Sequence, residues 1–205
     1  MSAPAATRAP FPAPSIGGVR LASPVLQAAL SGYSDRAMRV LARRHGAAYC
    51  LGEVLLDAFV VTAGRSARNL ARLALSPEEH PVGAQLMGSV PEDFPPAALR
   101  LVEEGYDVID VNFGCPVKKV LGRCRGGYLL STPATALDIV ARVRDAVPAR
   151  VPVTLKMRRG IDDSSASADN FWTIFDGAFA RGAAAITVHG RTVRQKYVGA
   201  SDWGF

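Results

Sequence analysis

Short apolar runs and longer segments with helical spacing follow one another repeatedly along this chain. The apolar runs predict six strands, at 24–30, 47–54, 81–88, 107–114, 151–158 and 184–191. Segments in which apolar residues recur every three or four positions predict helices at 34–46, 91–105, 131–147 and 168–182. The strands read as apolar throughout rather than alternating, which is typical of a parallel sheet covered on both faces. The pattern therefore predicts an α/β fold.

Local residue choices predict how the first helix begins, ends and packs. Ser34 or Asp35 can cap its first turn, and Gly46 is suited to its end. Val40 and Leu41 lie on one side of this helix and its arginines on the other. The segment is therefore predicted to form an amphipathic helix.

Two architectures fit the strand–helix repeat, an open doubly wound sheet and a TIM (β/α)8 barrel. An open nucleotide-binding sheet usually carries a GxGxxG fingerprint after its first strand. The corresponding turn here reads LSGYSD, at 30–35, and lacks that fingerprint. A barrel is therefore favoured over residues 21–205, and in a barrel the functional groups belong at the carboxyl ends of the strands.

Composition narrows the class of protein further. Apolar residues make up 49% of the 205 residues, as in globular domains, and no apolar run approaches the roughly 20 residues of a membrane span. Residues 1–20 are rich in Ala and Pro without the apolar core of a secretory signal, so we expect a disordered tail. The three cysteines, Cys50, Cys115 and Cys124, form no CxxC pair, which argues against a disulfide framework or a metal site. A reducing cytoplasm fits best.

Polar residues that could carry chemistry concentrate where the predicted strands end. They are Glu53, Gln85, Asn112, Cys115, Lys156, Arg158, His189 and Arg191. Because the carboxyl ends of all strands lie at one rim of a barrel, we expect these side chains to surround one site.

Cys115 lies in a tight turn between Gly114 and Pro116, directly after an apolar strand. A free thiol, with a pKa of about 8.5, is mostly protonated at neutral pH and can donate a proton. A neighbouring positive charge would instead make it a nucleophile, and a buried cysteine can be a small apolar residue. The strand-end position favours a functional role, whereas Cys50 is expected in the core and Cys124 at the surface.

Two further residues end strands with a polar side chain. Lys156 must either extend to water or meet an anion or the electron-rich edge of a cofactor. His189 ends the next strand and precedes Gly190 and Arg191, although a lone histidine is often structural. Both residues are therefore candidates for the site.

Basic residues concentrate in three loops on the same predicted face. Nine of the 24 Lys and Arg residues lie there, namely Lys118, Lys119, Arg123, Arg125, Arg158, Arg159, Arg191, Arg194 and Lys196. Charged loops are usually only solvated surface. Around a mouth that also holds Cys115, they indicate phosphates, either of a cofactor or of a nucleic acid backbone.

The stretches DVNFGCPVKKVLGR, VTLKMRRG and TVHGRTVRQKYVGASDW resemble motifs of the tRNA-dihydrouridine synthases, and LSGYSDRAMR is similar to that family's first-strand segment. The resemblance runs from about residue 22 to the end of the chain. It implies a barrel that binds FMN and reduces the C5=C6 bond of uridines in tRNA, with NADPH as the usual reductant. tRNA is thus the implied partner.

The resemblance also implies a role for each candidate residue. Cys115 would protonate C5 of the uracil while reduced flavin delivers hydride to C6. Cofactor contacts would come from Ala29, Leu30, Ser31, Gln85, Lys156 and His189. Substrate and RNA contacts would come from Asn112, Lys118, Lys119, Arg123, Arg158 and Arg194.

The chain departs from the family in three places. Ala29 and Leu30 replace the common Pro-Met pair, and CRGGY, at 124–128, replaces a run of small residues. The last two barrel strands and the C-terminal helical domain are absent, so we expect an incomplete barrel that retains little FMN by itself. Two other functions stay open: a flavin barrel that acts on a free pyrimidine, as dihydropyrimidine or dihydroorotate dehydrogenases do, and an inactive RNA-binding remnant.

Overall fold

The computed structural model describes residues 14–62, 69 and 72–205. A two-stranded antiparallel hairpin, β1 (Ser15–Ile16) and β2 (Val19–Arg20), precedes a six-stranded parallel sheet. The strands of that sheet are β3 (Leu26–Gln27), β4 (Tyr49–Leu56), β5 (Val82–Met87), β6 (Val108–Phe113), β7 (Val153–Arg158) and β8 (Ala185–His189). Each strand pairs with the next strand in the chain. In a doubly wound sheet the order would reverse at a switch point, so this topology confirms the predicted barrel class.

Helices follow β3 to β7 along the chain. They are α1 (Arg36–Arg44), α2 (Asp57–Thr62), α3 (Phe94–Glu103), α4 (Lys118–Leu121), α5 (Pro133–Ala146) and α6 (Ser165–Ala180). Three 3-10 turns lie at Pro77–Glu79, Pro91–Asp93 and Gly126–Ser131. In the part of the chain that the structure describes, no helix has the length and apolar character needed to cross a membrane.

Helix α1 begins as expected and buries an arginine. The Asp35 carboxylate accepts a hydrogen bond from the Met38 backbone N–H at 2.9 Å, which confirms Asp35 as the cap. Arg39 is only 3% exposed whereas Leu41 is 54% exposed. The Arg39 guanidinium forms an ion pair with buried Glu79 at 2.6 Å, so the charge that this helix buries has a partner.

The core lies between the sheet and α3, α5 and α6, and β6 and β7 contribute alternate residues to it. Val111, Phe113, Leu155 and Met157 are all fully buried in this core, whereas the polar residues of both strands lie between them in sequence. Because successive side chains of a strand point to opposite faces, the polar residues lie on the inner face of the sheet. The expectation of strands that are apolar throughout is therefore wrong for β6 and β7.

The described structure begins earlier than the expected tail boundary. Residues 15–20 form the β1–β2 hairpin, and Ile16 is buried in a small cluster with Leu21 and Tyr49. Residues 1–13 of the expected disordered tail lie outside the described residues. The first predicted strand, 24–30, contracts to Leu26–Gln27, so residues 28–31 form a loop over the sheet end.

Candidate functional site

A cavity of about 510 Å³ lies where the parallel strands end. Nine of the residues expected at the site line it: Ala29, Leu30, Ser31, Gln85, Asn112, Cys115, Lys156, Arg158 and His189. A larger cavity of about 880 Å³ is lined by residues of α1 and of the turn at Pro77–Glu79, and it contains Glu53, which was expected at the site, but none of these nine. The candidate site is therefore the smaller cavity, because the residues that could carry chemistry are concentrated there.

The register of the sheet explains why these side chains meet. In the parallel pairing, Asn112 of β6 lies beside Lys156 of β7. One level below, Asp110 lies between Gln85 of β5 and Thr154 of β7. Residues two apart on one strand share a face, so the two levels form successive polar layers on the inner face of the sheet.

The lower layer is buried and fully hydrogen-bonded around Asp110. This carboxylate is 2% exposed and accepts hydrogen bonds from Thr154 Oγ1 at 2.6 Å and Gln85 Nε2 at 2.7 Å. Burial raises the pKa of Asp110 to about 6. The two hydrogen bonds and the charge of Lys156 favour the ionised form and so oppose this increase. Sequence analysis missed both Asp110 and Thr154, although their alternation with apolar residues was visible.

The upper layer holds the Cys115 turn in place. Asn112 Nδ2 donates to Gln85 Oε1 at 2.8 Å, and Asn112 Oδ1 accepts from the backbone N–H groups of Gly114 and Cys115, each at 3.0 Å. A Cβ added to Gly126 would lie 2.8 Å from the Cys115 Cβ, so the neighbouring loop packs tightly against the turn. The Cys115 side chain, half-buried, thus borders the cavity from a fixed backbone.

Two nitrogen-bearing side chains face the same cavity. Burial lowers the pKa of Lys156, and the Asp110 carboxylate opposes this effect. Among the described residues, no acceptor or ion-pair partner lies within bonding distance of Lys156 Nζ. Burial, together with the charges of Arg158, Lys156 and Arg191, lowers the pKa of His189, which keeps its imidazole neutral at pH 7.

Arg158 lies deeper than an exposed phosphate ligand would. Its side chain is 2% exposed, and its Nε donates to the Gly114 carbonyl at 2.9 Å. Its Nη1 donates to the carbonyls of Thr192 at 2.8 Å and Lys196 at 2.7 Å, and its guanidinium lies 5.8 Å from the Tyr197 ring centroid. One buried guanidinium therefore joins the Cys115 turn to the loop that follows β8.

The other four basic residues expected to contact RNA lie outside the cavity lining. Lys118 and Lys119, on α4, are exposed, and so is Arg123, which follows this short helix. Arg194 is also exposed and forms an ion pair with Asp162 at 2.9 Å. The structure thus separates the predicted residues into a group around the cavity and a basic group at the surface.

The two remaining cysteines lie where they were expected. Cys50 is fully buried, and its thiol is 3.7 Å from the Arg39 carbonyl oxygen. Cys124 is exposed, with a backbone φ of 54°. Of the three thiols, only that of Cys115 borders the cavity.

The sequence is similar to proteins of known family over most of its length. A family model described as Dihydrouridine synthase (Dus) matches residues 26–204. A probable tRNA-dihydrouridine synthase of Rhodobacter capsulatus is 37% identical over 189 residues, which cover 92% of this chain and 56% of that protein. tRNA-dihydrouridine synthase B of Pseudomonas aeruginosa is 36% identical over 188 residues, which cover 92% of this chain and 54% of that protein. The chain therefore spans about half the length of these curated relatives.

Solved structures with little sequence similarity share the fold. Morphinone reductase in complex with tetrahydroNAD matches with a TM-score of 0.62 at 12% identity, over 90% of this chain and 77% of that one. The 6-hydroxypseudooxynicotine amine oxidase of Pseudomonas geniculata matches with a TM-score of 0.64 at 12% identity, over 92% of this chain and 37% of that one. These matches support the curled parallel half-barrel alone. On the evidence of the family model, the chain belongs to the dihydrouridine synthase family.

Proposed function

We propose that this chain is the barrel part of an enzyme that reduces the C5=C6 bond of uridine in tRNA to dihydrouridine. The family match supports the reaction class, and it favours uridine in tRNA over a free pyrimidine. The observation that carries the proposal is the convergence of Cys115 and Lys156 on one cavity at the strand ends. A proton donor and a fixed cation are the two groups that such a reduction requires from the protein.

The residues around the cavity fit a flavin. Its volume of about 510 Å³ lies within the range of cofactor sites. The donor set fits as well, because the Lys156 ammonium has no hydrogen-bond partner among the described residues and can therefore meet an electron-rich ring edge. Cofactor contacts are assigned to Ala29, Leu30, Ser31, Gln85, Lys156 and His189. When bound, FMN with NADPH as reductant supplies the hydride that reaches C6 of the uracil.

The chain's own groups orient the base and move the proton. Cys115 holds a proton on Sγ and donates it to C5. The Asn112 oxygen already accepts two backbone N–H groups, and one of its amide hydrogens goes to Gln85. Its second amide hydrogen is therefore the group left to bind a uracil carbonyl. The Lys156 ammonium stabilises negative charge that develops near it.

The exposed basic residues are assigned to the RNA. Lys118, Lys119, Arg123 and Arg194 can contact phosphates next to a uridine that is rotated out of the folded tRNA. Arg158 keeps only Nη2 for such a contact, because its Nε and Nη1 already donate to backbone carbonyls. These bonds hold the loop after β8 against the Cys115 turn at the mouth of the cavity.

The test is the dihydrouridine content of tRNA from a strain that lacks the gene encoding this chain. Nucleoside mass spectrometry should show the loss of dihydrouridine at one or more positions, and the wild-type gene should restore it. Cys115→Ala should slow the reduction by about 100-fold to 10,000-fold, the usual contribution of a general acid. The matched control is Cys124→Ala, which removes an exposed thiol outside the cavity and should restore dihydrouridine fully.

Each outcome decides one part of the proposal. Unchanged dihydrouridine in the deletion strain would overturn the tRNA reductase assignment. A Cys115→Ala enzyme that reduces uridine at the wild-type rate would overturn the proton-donor role and leave the reaction class standing.

A further inference from the structure

We propose that Asp110 is a positioning residue for the Cys115 turn, and that it acts through the side-chain amides of Gln85 and Asn112. This inference rests on the proposed function only in taking Cys115 as the proton donor. The three residues form one hydrogen-bonded chain from the buried carboxylate to the main chain of the turn. The amide chain, Asp110–Gln85–Asn112, has a direction that follows from donor and acceptor chemistry.

The upper end of the amide chain demands an acceptor. The backbone N–H groups of Gly114 and Cys115 can only donate, so Asn112 must turn its oxygen toward them. Asn112 Nδ2 then faces Gln85, which must present its oxygen, as it does at 2.8 Å. Gln85 Nε2 is consequently left pointing down, where it needs an acceptor.

The lower end of the amide chain supplies that acceptor. An ionised carboxylate accepts and cannot donate, and Asp110 Oδ2 lies 2.7 Å from Gln85 Nε2. Thr154 Oγ1 donates to the other oxygen at 2.6 Å and so fixes the rotation of the carboxylate. Gln85 is 1% exposed and Asp110 2%, so water cannot replace a lost partner without a large cost.

A reversed amide chain would place donors against donors at its upper end. If Gln85 lost its acceptor, its amide could rotate, and Asn112 would then no longer be held with its oxygen toward the turn. The turn carries the thiol, and a general acid must lie within hydrogen-bond reach of the atom that it protonates. Asp110 therefore controls the position of Cys115 without contacting it.

Amide hydrogen exchange of the ligand-free chain, followed by NMR, tests the inference at Gly114 and Cys115. Asp110→Leu removes the acceptor and should accelerate exchange at both amides by about 10-fold relative to wild type. Asp110→Asn can still present an oxygen to Gln85 and should keep both amides within about threefold of wild type. Gln85→Met breaks the amide chain one step higher and should accelerate exchange at both amides as Asp110→Leu does. If Asp110→Leu does not fold, Gln85→Met therefore tests the inference in its place.

Thr154→Val is the matched control. It removes a hydrogen bond from the same carboxylate but leaves the amide chain intact, so Gly114 and Cys115 should exchange as in wild type. The β7 amide of Leu155 reports any general loss of stability in each variant. The inference is overturned if the leucine and methionine variants leave exchange at 114 and 115 unchanged. It is equally overturned if Thr154→Val accelerates exchange as much as they do, or if Asp110→Asn fails to preserve the protection.

The measurement involves no flavin, RNA or turnover. A deletion strain with normal dihydrouridine would remove the proposed reaction but leave the exchange result unaffected. Unchanged exchange rates would remove the positioning role of Asp110 and leave the tRNA result unaffected. The two failures are therefore distinguishable.

Discussion

The stability of Asp110→Asn relative to wild type should be greater at neutral pH than at acid pH. Burial raises the pKa of this carboxyl to about 6 in the folded protein, compared with about 3.9 in an unfolded chain. The folded state therefore binds the proton more tightly, and the stability that this proton confers is present below pH 4. It is lost as the pH rises through 6.

The size of the effect follows from the difference between the two pKa values. About two pKa units correspond to about 3 kcal/mol, which wild type loses between about pH 4 and pH 7 through this group. The asparagine side chain of the variant does not titrate in this range. The free energy of unfolding of Asp110→Asn minus that of wild type should therefore rise by about 3 kcal/mol over this range.

Urea unfolding followed by circular dichroism, at several values between about pH 4 and pH 7.5, measures this difference. Subtracting wild type cancels the titration of all groups that both proteins share. Burial lowers the pKa of Lys156, and a parallel Lys156→Met series shows how much of the difference depends on this neighbouring charge. Asp138→Asn makes the same chemical change on a half-exposed carboxylate of α5 and sets the baseline.

A difference that stays constant with pH would refute the reasoning. So would a difference that falls as the pH rises, because the carboxylate would then be stabilised in its charged form. In that second case, the attraction of Lys156 and the two hydrogen bonds would outweigh the cost of burial.

Three other substitutions test the site. Arg158→Lys cannot reproduce donation to three backbone carbonyls, so urea unfolding should show a loss of about 2–4 kcal/mol, and limited proteolysis should cleave the loop after β8 sooner. Gly126→Ala adds a Cβ that lies 2.8 Å from that of Cys115, at a residue with a φ of +58°, so it should lower the free energy of unfolding by about 1–3 kcal/mol. Gly18→Ala, the control, adds a Cβ in open space and should lower it by less than about 1 kcal/mol. Lys156→Met should stabilise the ligand-free chain at pH 7, because the cost of burying the ammonium outweighs the attraction of Asp110, and it should weaken FMN binding at least about 10-fold in a fluorescence titration. If Lys156→Met is less stable than wild type, burial of the ammonium does not destabilise the ligand-free chain.

The fold and much of the cavity could be predicted from the sequence because they depend on short-range patterns. The strand–helix repeat places consecutive strands side by side, and the observed order β3 to β8 is the order in the chain. Parallel strands bring all their carboxyl ends to one rim, so residues that end strands, such as Gln85 and Lys156, meet without any further information.

Pairings between distant residues could not be predicted in this way. Helical spacing places Leu41 opposite the arginines of α1, yet Leu41 is exposed and Arg39 is buried, because Glu79, 40 residues along the chain, pairs with the guanidinium. Arg158 reads as one of several basic loop residues, yet its partners are carbonyl oxygens 34 to 44 residues away. Residue type gave the charge of each side chain, while its role depended on a partner that only the fold brings near.

The buried polar layer under the site lies between these two cases. In VIDVNF and VTLKMR, the polar residues occupy every second position, which places them on one face of each strand. A buried polar group is tolerated when a partner satisfies it, and neighbouring parallel strands supply such partners where their registers coincide. Asp110 lies at the same level as Gln85 and Thr154, so each of these polar side chains has a partner on the adjacent strand. Polar residues that alternate on adjacent strands of a barrel therefore predict a hydrogen-bonded layer beneath the mouth, and here that layer ends at the main chain of Cys115.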